Sequence, residues 1–131
     1  MTTFVDTSAI YALLANNDLN HEPARSWFES ARSEKEPLIS HNYVVVESAA
    51  LVRRRMGDEV VSALFERLLV PIRVIFVDEP LHRAAVSTHL ARPTRPSLVD
   101  QVSFHFMRDL ALRRAFAFDA DFVRNGFETV P

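Results

Sequence analysis

Apolar positions along the chain follow two rhythms. Short runs rich in β-branched and aromatic residues, at 2–5, 37–40, 72–78, 116–118 and 127–130, read as strands. Between them, apolar residues return every three or four positions, the spacing of one helix face. Ala24, Trp27, Phe28 and Ala31 form such a face, as do Val60, Val61, Leu64, Phe65, Leu68 and Leu69. Further helices are expected over 9–14, 43–52, 79–90 and 97–112. Segment 43–52 begins with three valines and could pass for a strand, but its length and the alanines that follow favour a helix. Strands alternating with helices predict an α/β fold, a mostly parallel five-stranded sheet covered on both faces.

Local signals place the joints. Residues 16–20 are a polar turn, and Asn20 is positioned to cap a helix that tolerates Pro23 in its first turn. Arg53, Arg54 and Arg55 stand at a helix carboxyl end followed by Gly57, which suits a charged cap and a stop. The same arginines also suit phosphate binding. Trp27, at helical spacing, is expected in the core rather than stacked on a base. The segment 91–96 is a rigid, basic loop.

Composition narrows the classes. A chain of 131 residues, 48% hydrophobic and 24% charged, forms one folded domain, taken here as 1–131. No apolar run is long enough for a membrane span and no leader precedes Phe4, so no membrane partner is expected and the cytoplasm is the expected location. Cysteine is absent, which excludes disulfides and thiolate metal sites. With only Gly57 and Gly126, glycine-rich phosphate and dinucleotide loops are excluded too. The formal charge of −2 does not suggest a nucleic-acid binder. Two bound divalent cations would reverse its sign, however, and Lys35 is the only lysine, so nearly all positive charge is arginine, the better fork for phosphate.

Several acids break the hydrophobic pattern. Asp6 ends the first strand just where Thr7 and Ser8 open a helix, the carboxyl-end position at which α/β sheets collect ligands. It is equally placed to cap that helix. Glu47 has Val44, Ala50 and Leu51 as helix neighbours, an environment costly for an ionised carboxylate without partners. Asp100 has capping-box spacing from Ser97, and the same turn can aim it into the crevice. Asp119 and Asp121 follow a strand as Asp6 does. Asp78 does too, but Asp78-Glu79-Pro80 reads as an ordinary helix start. Three or four acids gathered at strand ends suit one or two Mg²⁺ or Mn²⁺ ions, which prefer oxygen donors. The five histidines lack metal-pair spacing, which argues against zinc. His82 and His89 share a helix face and read as surface residues.

Taken together, Val5-Asp6-Thr7-Ser8, Val46-Glu47-Ser48-Ala49, the segment from Ser97 through Asp100 to Phe104, and Phe118-Asp119-Ala120-Asp121-Phe122 resemble the PIN-domain ribonucleases, in particular the VapC toxins of bacterial toxin–antitoxin pairs. The resemblance covers the whole chain. It implies a PIN-like α/β/α sandwich and a metal-dependent endoribonuclease that hydrolyses structured RNA, transfer or ribosomal, leaving a 5′-phosphate. It implies Asp6, Glu47, Asp100 and Asp119 as catalytic acids, with Asp6, Asp100, Asp119 and Asp121 as candidate ligands of Mg²⁺ or Mn²⁺. Either Asp119 or Asp121 is the fourth ligand. Ser8 matches a hydroxyl position beside the first acid. Arg92 and Arg95 are candidate RNA contacts, followed by Arg53, Arg54, Arg113 and Arg114. A small VapB-like antitoxin is the implied partner, and a homodimer is expected, with the helix over 60–69 as its interface.

Rival readings fit less well. A receiver-like binding module would need a lysine near the last strand, and Lys35 lies far too early. A haloacid-dehalogenase-like phosphatase would need an acid where Ser8 stands. A non-catalytic PIN-like scaffold is disfavoured because all four acids are present.

Overall fold

The computed structural model describes residues 1–91 and 95–131; Arg92, Pro93 and Thr94 of the basic loop, and with them the expected RNA contact of Arg92, lie outside the described residues. Five strands form one sheet: β1 (Thr3–Val5), β2 (Leu38–His41), β3 (Ile72–Ile75), β4 (Arg114–Phe116) and β5 (Glu128–Val130). Their order is β3-β2-β1-β4-β5, and every pairing is parallel. The helices are α1 (Thr7–Leu14), α2 (His21–Ser33), α3 (Asn42–Met56), α4 (Asp58–Ala63), α5 (Glu79–Ala91), α6 (Leu98–Asp109) and α7 (Asp121–Arg124). A π-helical turn, Leu64–Leu68, continues α4 and keeps Leu64 and Leu68 on the core.

The first strand is the centre of the molecule. Phe4 faces Ile39 on one side and Ala115 on the other, and Val5 is level with Phe116. Side chains alternate across a sheet, so β1 and β4 feed two cores. Phe4 packs on His41, on Phe106 of α6 and on Phe122 of α7. On the other face Phe116 packs on Trp27 and Phe28 of α2, so Trp27 is a packing residue. Phe4, Val5, Phe104, Phe116 and Phe122 are fully buried. Each buried side chain of this size contributes about 2–3 kcal/mol of hydrophobic free energy.

Buried polar groups tie the layers together. Ser40 Oγ donates to Val5 O at 2.8 Å. His41, wholly inaccessible at the end of β2, caps α3: its Nδ1 accepts from Val44 N at 3.3 Å. Nε2 therefore carries the proton and donates to Ser103 Oγ at 2.8 Å, and Ser103 Oγ donates on to Val99 O. Burial pushes the His41 imidazole down to about 3.

Some boundaries differ from the sequence-based expectation, each for a local reason. Phe76 is not a buried strand residue but is 76% exposed. The chain leaves the sheet after Ile75 because Val77 N donates to Asn42 Oδ1 at 2.7 Å instead of to a strand. Phe118 also lies past its strand and is half-buried, its N–H bonded to Ser8 Oγ at 2.9 Å. Asn20 makes no side-chain cap; its own N–H is taken by Asp18 Oδ2. Helix α6 stops at Asp109, short of residue 112, and the reversal places Ala111 at φ +54°. The short α7 falls in a stretch where the hydrophobic spacing predicts no helix.

Gly57 separates α3 from α4 at φ +91° and ψ 176°, a region open essentially to glycine alone. A Cβ there would meet no atom within 4 Å, so the whole cost of a side chain is backbone strain. Gly57→Ala is expected to lower stability by about 1–3 kcal/mol in urea denaturation. An unchanged unfolding midpoint would contradict that assignment of the turn.

Candidate active site

In a sheet ordered 3-2-1-4-5, successive connections leave β1 in opposite directions. The crevice at the carboxyl ends of β1 and β4 is therefore the topological switch point, where α/β sheets hold their ligands. Asp6 is the first residue beyond β1. Its N–H donates to Phe116 O at 3.1 Å, which locks it to the end of β4. Its Oδ2 accepts from Ser8 N at 3.0 Å and Ser8 Oγ at 2.7 Å, so Asp6 does cap α1. Oδ1 accepts no hydrogen bond among the described residues. Ser8 Oγ in turn receives Phe118 N and so ties the two loops of the crevice together.

Asp6 is 4% exposed. Burial pushes its carboxyl up to about 7; the Ser8 hydrogen bonds hold it down in part, while the charges of Asp100 and Glu47 add to the rise. Asp100 begins α6 as the partner of Ser97 in a reciprocal capping box. Its carboxyl is raised by burial, against the bonds from Ser97, and further by Asp119 and Glu47. Residues spread over most of the sequence are thus within electrical reach: Asp100 and Glu47 of Asp6, and Asp119 and Glu47 of Asp100.

Asp100, Asp119 and Asp121 each offer a carboxylate oxygen, all within 4.8 Å of one another. This all-oxygen, all-anionic donor set fits a hard divalent cation and does not suit a softer one. Asp6 and Glu47 stand outside that trio. Asp119 Oδ1 also accepts from Asp121 N at 2.9 Å, which turns the loop into α7. Asp121, 5% exposed, is paired with Arg124 at 2.8 Å and lies 3.9 Å from Arg95.

Glu47 is not surrounded by apolar side chains, as its helix neighbours suggest. It is half-buried on the rim of a cavity of about 300 Å³, with Thr7, Leu51 and Arg54 beside it. Ala50 on the same helix is exposed rather than packed against it. Thr7 Oγ1, on the same cavity, is buried with no hydrogen-bond partner among the described residues. Asp78 is exposed and caps α5, accepting from Leu81 N at 2.9 Å.

The arginines divide by position. Arg54 and Arg95 border the crevice. Arg53 is paired with Asp58, and Arg55 lies over the Tyr11 ring. Arg114, expected as an RNA contact, begins β4 at the opposite end of the sheet, where it is ion-paired with Glu36 and bonded to Thr3 Oγ1. Arg113 precedes it there. Two residues at the crevice go unnoticed in the sequence reading, Gln101 and Arg124. The signal for Arg124 is its spacing of three from Asp121, the interval of a helical ion pair.

Comparison with known proteins agrees with this architecture. A curated relative, the 23S rRNA-specific endonuclease VapC20 of Mycobacterium tuberculosis, is 35% identical over 130 residues, covering 97% of this chain and 96% of its own length. The crystal structure of Mycobacterium tuberculosis VapC20, described as a sarcin–ricin loop cleaving toxin, superposes with a TM-score of 0.84 at 33% identity over the full length of both chains. VapBC2 from Rickettsia felis, bound to a DNA fragment from its promoter, gives 0.75 at 10% identity over the full length of both chains. FitAcB from Neisseria gonorrhoeae gives 0.71 at 16% identity, covering all of this chain and 97% of that one, and both of these show the fold alone. The PIN domain family model matches residues 3–128, and on that match and the VapC20 identity the chain belongs to the PIN-domain family.

Proposed function

We propose that this chain is a divalent-metal-dependent endoribonuclease of the VapC toxin type, hydrolysing a phosphodiester bond in structured RNA. The observation that carries it is the trio of Asp100, Asp119 and Asp121, whose carboxylate oxygens lie within 4.8 Å of one another, with the buried Asp6 at the switch point of the same sheet. Asp100, Asp119 and Asp121 would hold the cation, and Asp6 would join them through Oδ1. Mg²⁺ or Mn²⁺ bound there supplies positive charge against the phosphoryl oxygens and eases ionisation of water at neutral pH. Ser8 orients the Asp6 carboxylate through two hydrogen bonds. Ser97 fixes Asp100 through the capping box. Glu47 would accept the proton of the attacking water, and Arg54, on the same cavity, would meet a substrate phosphate.

The relative's target, the sarcin–ricin loop of 23S rRNA, is the first substrate to test. Incubation of ribosomes and of total RNA with the protein should give one dominant cut carrying a 5′-phosphate in Mg²⁺ or Mn²⁺, and none in EDTA. Cleavage that persists in EDTA would overturn the metal-dependent reading. Among the described residues no helix is long and apolar enough to cross a membrane. A cognate antitoxin is the proposed partner, given the VapC relative. A homodimer is proposed from Phe65 and Val70, which stand 49% and 74% exposed after α4.

A further inference from the structure

A cavity of about 510 Å³ opens on the α7 side of the acid trio, with Asp121 at its border. Its walls carry Arg95, Arg108 and Arg124, together with Thr88, Gln101 and Asn125. Its size falls in the range of ~300–1,000 Å³ typical of small-ligand sites. We propose that this cavity is a subsite for one nucleotide of the RNA, next to the bond that is cut. The proposal rests on the nuclease reading above and adds substrate contacts beyond the one that reading gives to Arg54.

Three observations carry it. The first is charge: among the described residues that line the cavity, three carry guanidinium groups and one, Asp121, a carboxylate, although the chain as a whole is acidic. Guanidinium groups fork phosphate oxygens through two parallel hydrogen bonds. Arg124 is 57% exposed while its partner Asp121 is 7% exposed at the side chain, so the arginine has donors left over for a ligand.

The second is preorganisation. Arg108 lies over the Phe127 ring, 5.4 Å from its centroid, and its Nη2 donates to Asn125 O at 3.3 Å. Asn125 is fixed by its own bond, Nδ2 to Asp121 O at 2.8 Å. These groups are held before a ligand arrives, which lowers the ordering cost of binding.

The third is Gln101. It is 7% exposed, lines the cavity, and its side-chain amide makes no hydrogen bond to any described residue. Neither amide atom is among the buried side-chain atoms that lack a partner, so the unpaired amide reaches the open space of the cavity, where a ligand can meet it. A nucleobase edge offers the paired donor and acceptor that a glutamine amide matches. A carboxylate from a protein partner would satisfy the arginines but leave half of that amide unmet, so RNA fits better than an acidic peptide. Gln101 directly follows Asp100 on α6, which sets the bound base beside the proposed reaction centre.

The test uses a labelled RNA stem-loop that the wild type cleaves, with binding measured in an Asp100→Asn background so that the RNA stays whole. Arg95→Gln and Arg124→Gln should each weaken binding on the order of tenfold and lower the slope of affinity against salt by about one ion. Gln101→Leu should relax the preference for one base flanking the cut, on the order of tenfold, across a panel of stem-loops. Mn²⁺ affinity by calorimetry, with Asp100 intact, should be unchanged in Gln101→Leu, which separates base reading from metal binding. Arg95 is exposed, so its variant folds whatever Gln101→Leu does. If the wild type neither binds nor cleaves RNA with metal present, both readings fall. If it cleaves but all three variants keep wild-type affinity and preference, only the subsite falls. Intact RNA binding with weakened binding of an acidic antitoxin peptide would assign the arginines to a protein partner and overturn the subsite.

Discussion

Asp100→Asn is expected to lower RNA cleavage by on the order of 10²-fold or more, while leaving the metal-free protein as stable as the wild type or more so. The activity figure is a floor, because even residues that only support metal ligands cost 10–100-fold when replaced. The stability expectation comes from the two roles of Asp100. As a cap it needs only an acceptor for Ser97 N, now bonded at 2.9 Å, and the asparagine oxygen supplies one. As a charge it is repelled by Asp119 and Glu47, and the amide removes that repulsion. Asp78→Asn is the matched control: it also caps a helix, from an exposed position away from the trio, and should cleave like the wild type. A stem-loop cleavage assay in Mg²⁺, paired with melting curves in EDTA, reads both quantities. Loss of cleavage in Asp78→Asn but not in Asp100→Asn would move the site to another acid.

The second large effect concerns pH. In the unfolded chain Asp6 ionises near its ordinary value of 3.8, and in the folded protein near 7. Between those values the folded state holds a proton that the unfolded state has released, so the metal-free protein loses stability as pH rises. The full loss, reached above about pH 7, is roughly 4 kcal/mol. Asp100 adds to the same side. His41 works the other way, since its imidazole falls from 6.5 to about 3 on folding. Below pH 6.5 the unfolded chain binds a proton that the folded protein refuses, and stability falls as pH falls. In the wild type without metal the two linkages oppose each other, which predicts a shallow pH dependence from about pH 4 to about 6.5. Asp6→Asn takes Asp6 off its side and leaves only Asp100 against His41. It should be more stable than the wild type at neutral pH by up to roughly 4 kcal/mol, and its stability should climb with pH through that window. Urea denaturation in EDTA across the range tests this, and an Asp6→Asn protein weaker than the wild type at neutral pH would refute it.

Much of this was legible in the residues because the fold repeats a simple unit. Every strand and every long helix lies close to where hydrophobic spacing puts it. The ends were harder, and for one reason. Phe76 and Phe118 continue an apolar run in sequence, yet side chains distant in the chain, Asn42 and Ser8, take the backbone donors beyond those strands. Capture of that kind leaves no local mark. Glu47 stood out for apolar neighbours that prove partly exposed, so it was singled out on an argument its surroundings do not bear out. Gln101 passed unnoticed because a polar residue in a first helical turn is ordinary, and only the fold shows it lining the cavity beside Asp121. Arg114, marked as a contact for RNA, sits in a strand whose direction sends it to the far end of the sheet.

The strand order also has a bearing on synthesis. Because β1 lies between β2 and β4, the first strand made waits for a partner encoded more than a hundred residues later. A growing chain can assemble β1, β2 and β3, but one edge of β1 stays bare until β4 emerges. Asp119 and Asp121 come later still. The acid cluster is therefore complete only once β4 and the loop that follows it have joined the sheet. A chain cut short before β4 would lack Asp119 and Asp121 of the trio and would leave β1 with an open edge ready to pair with another chain.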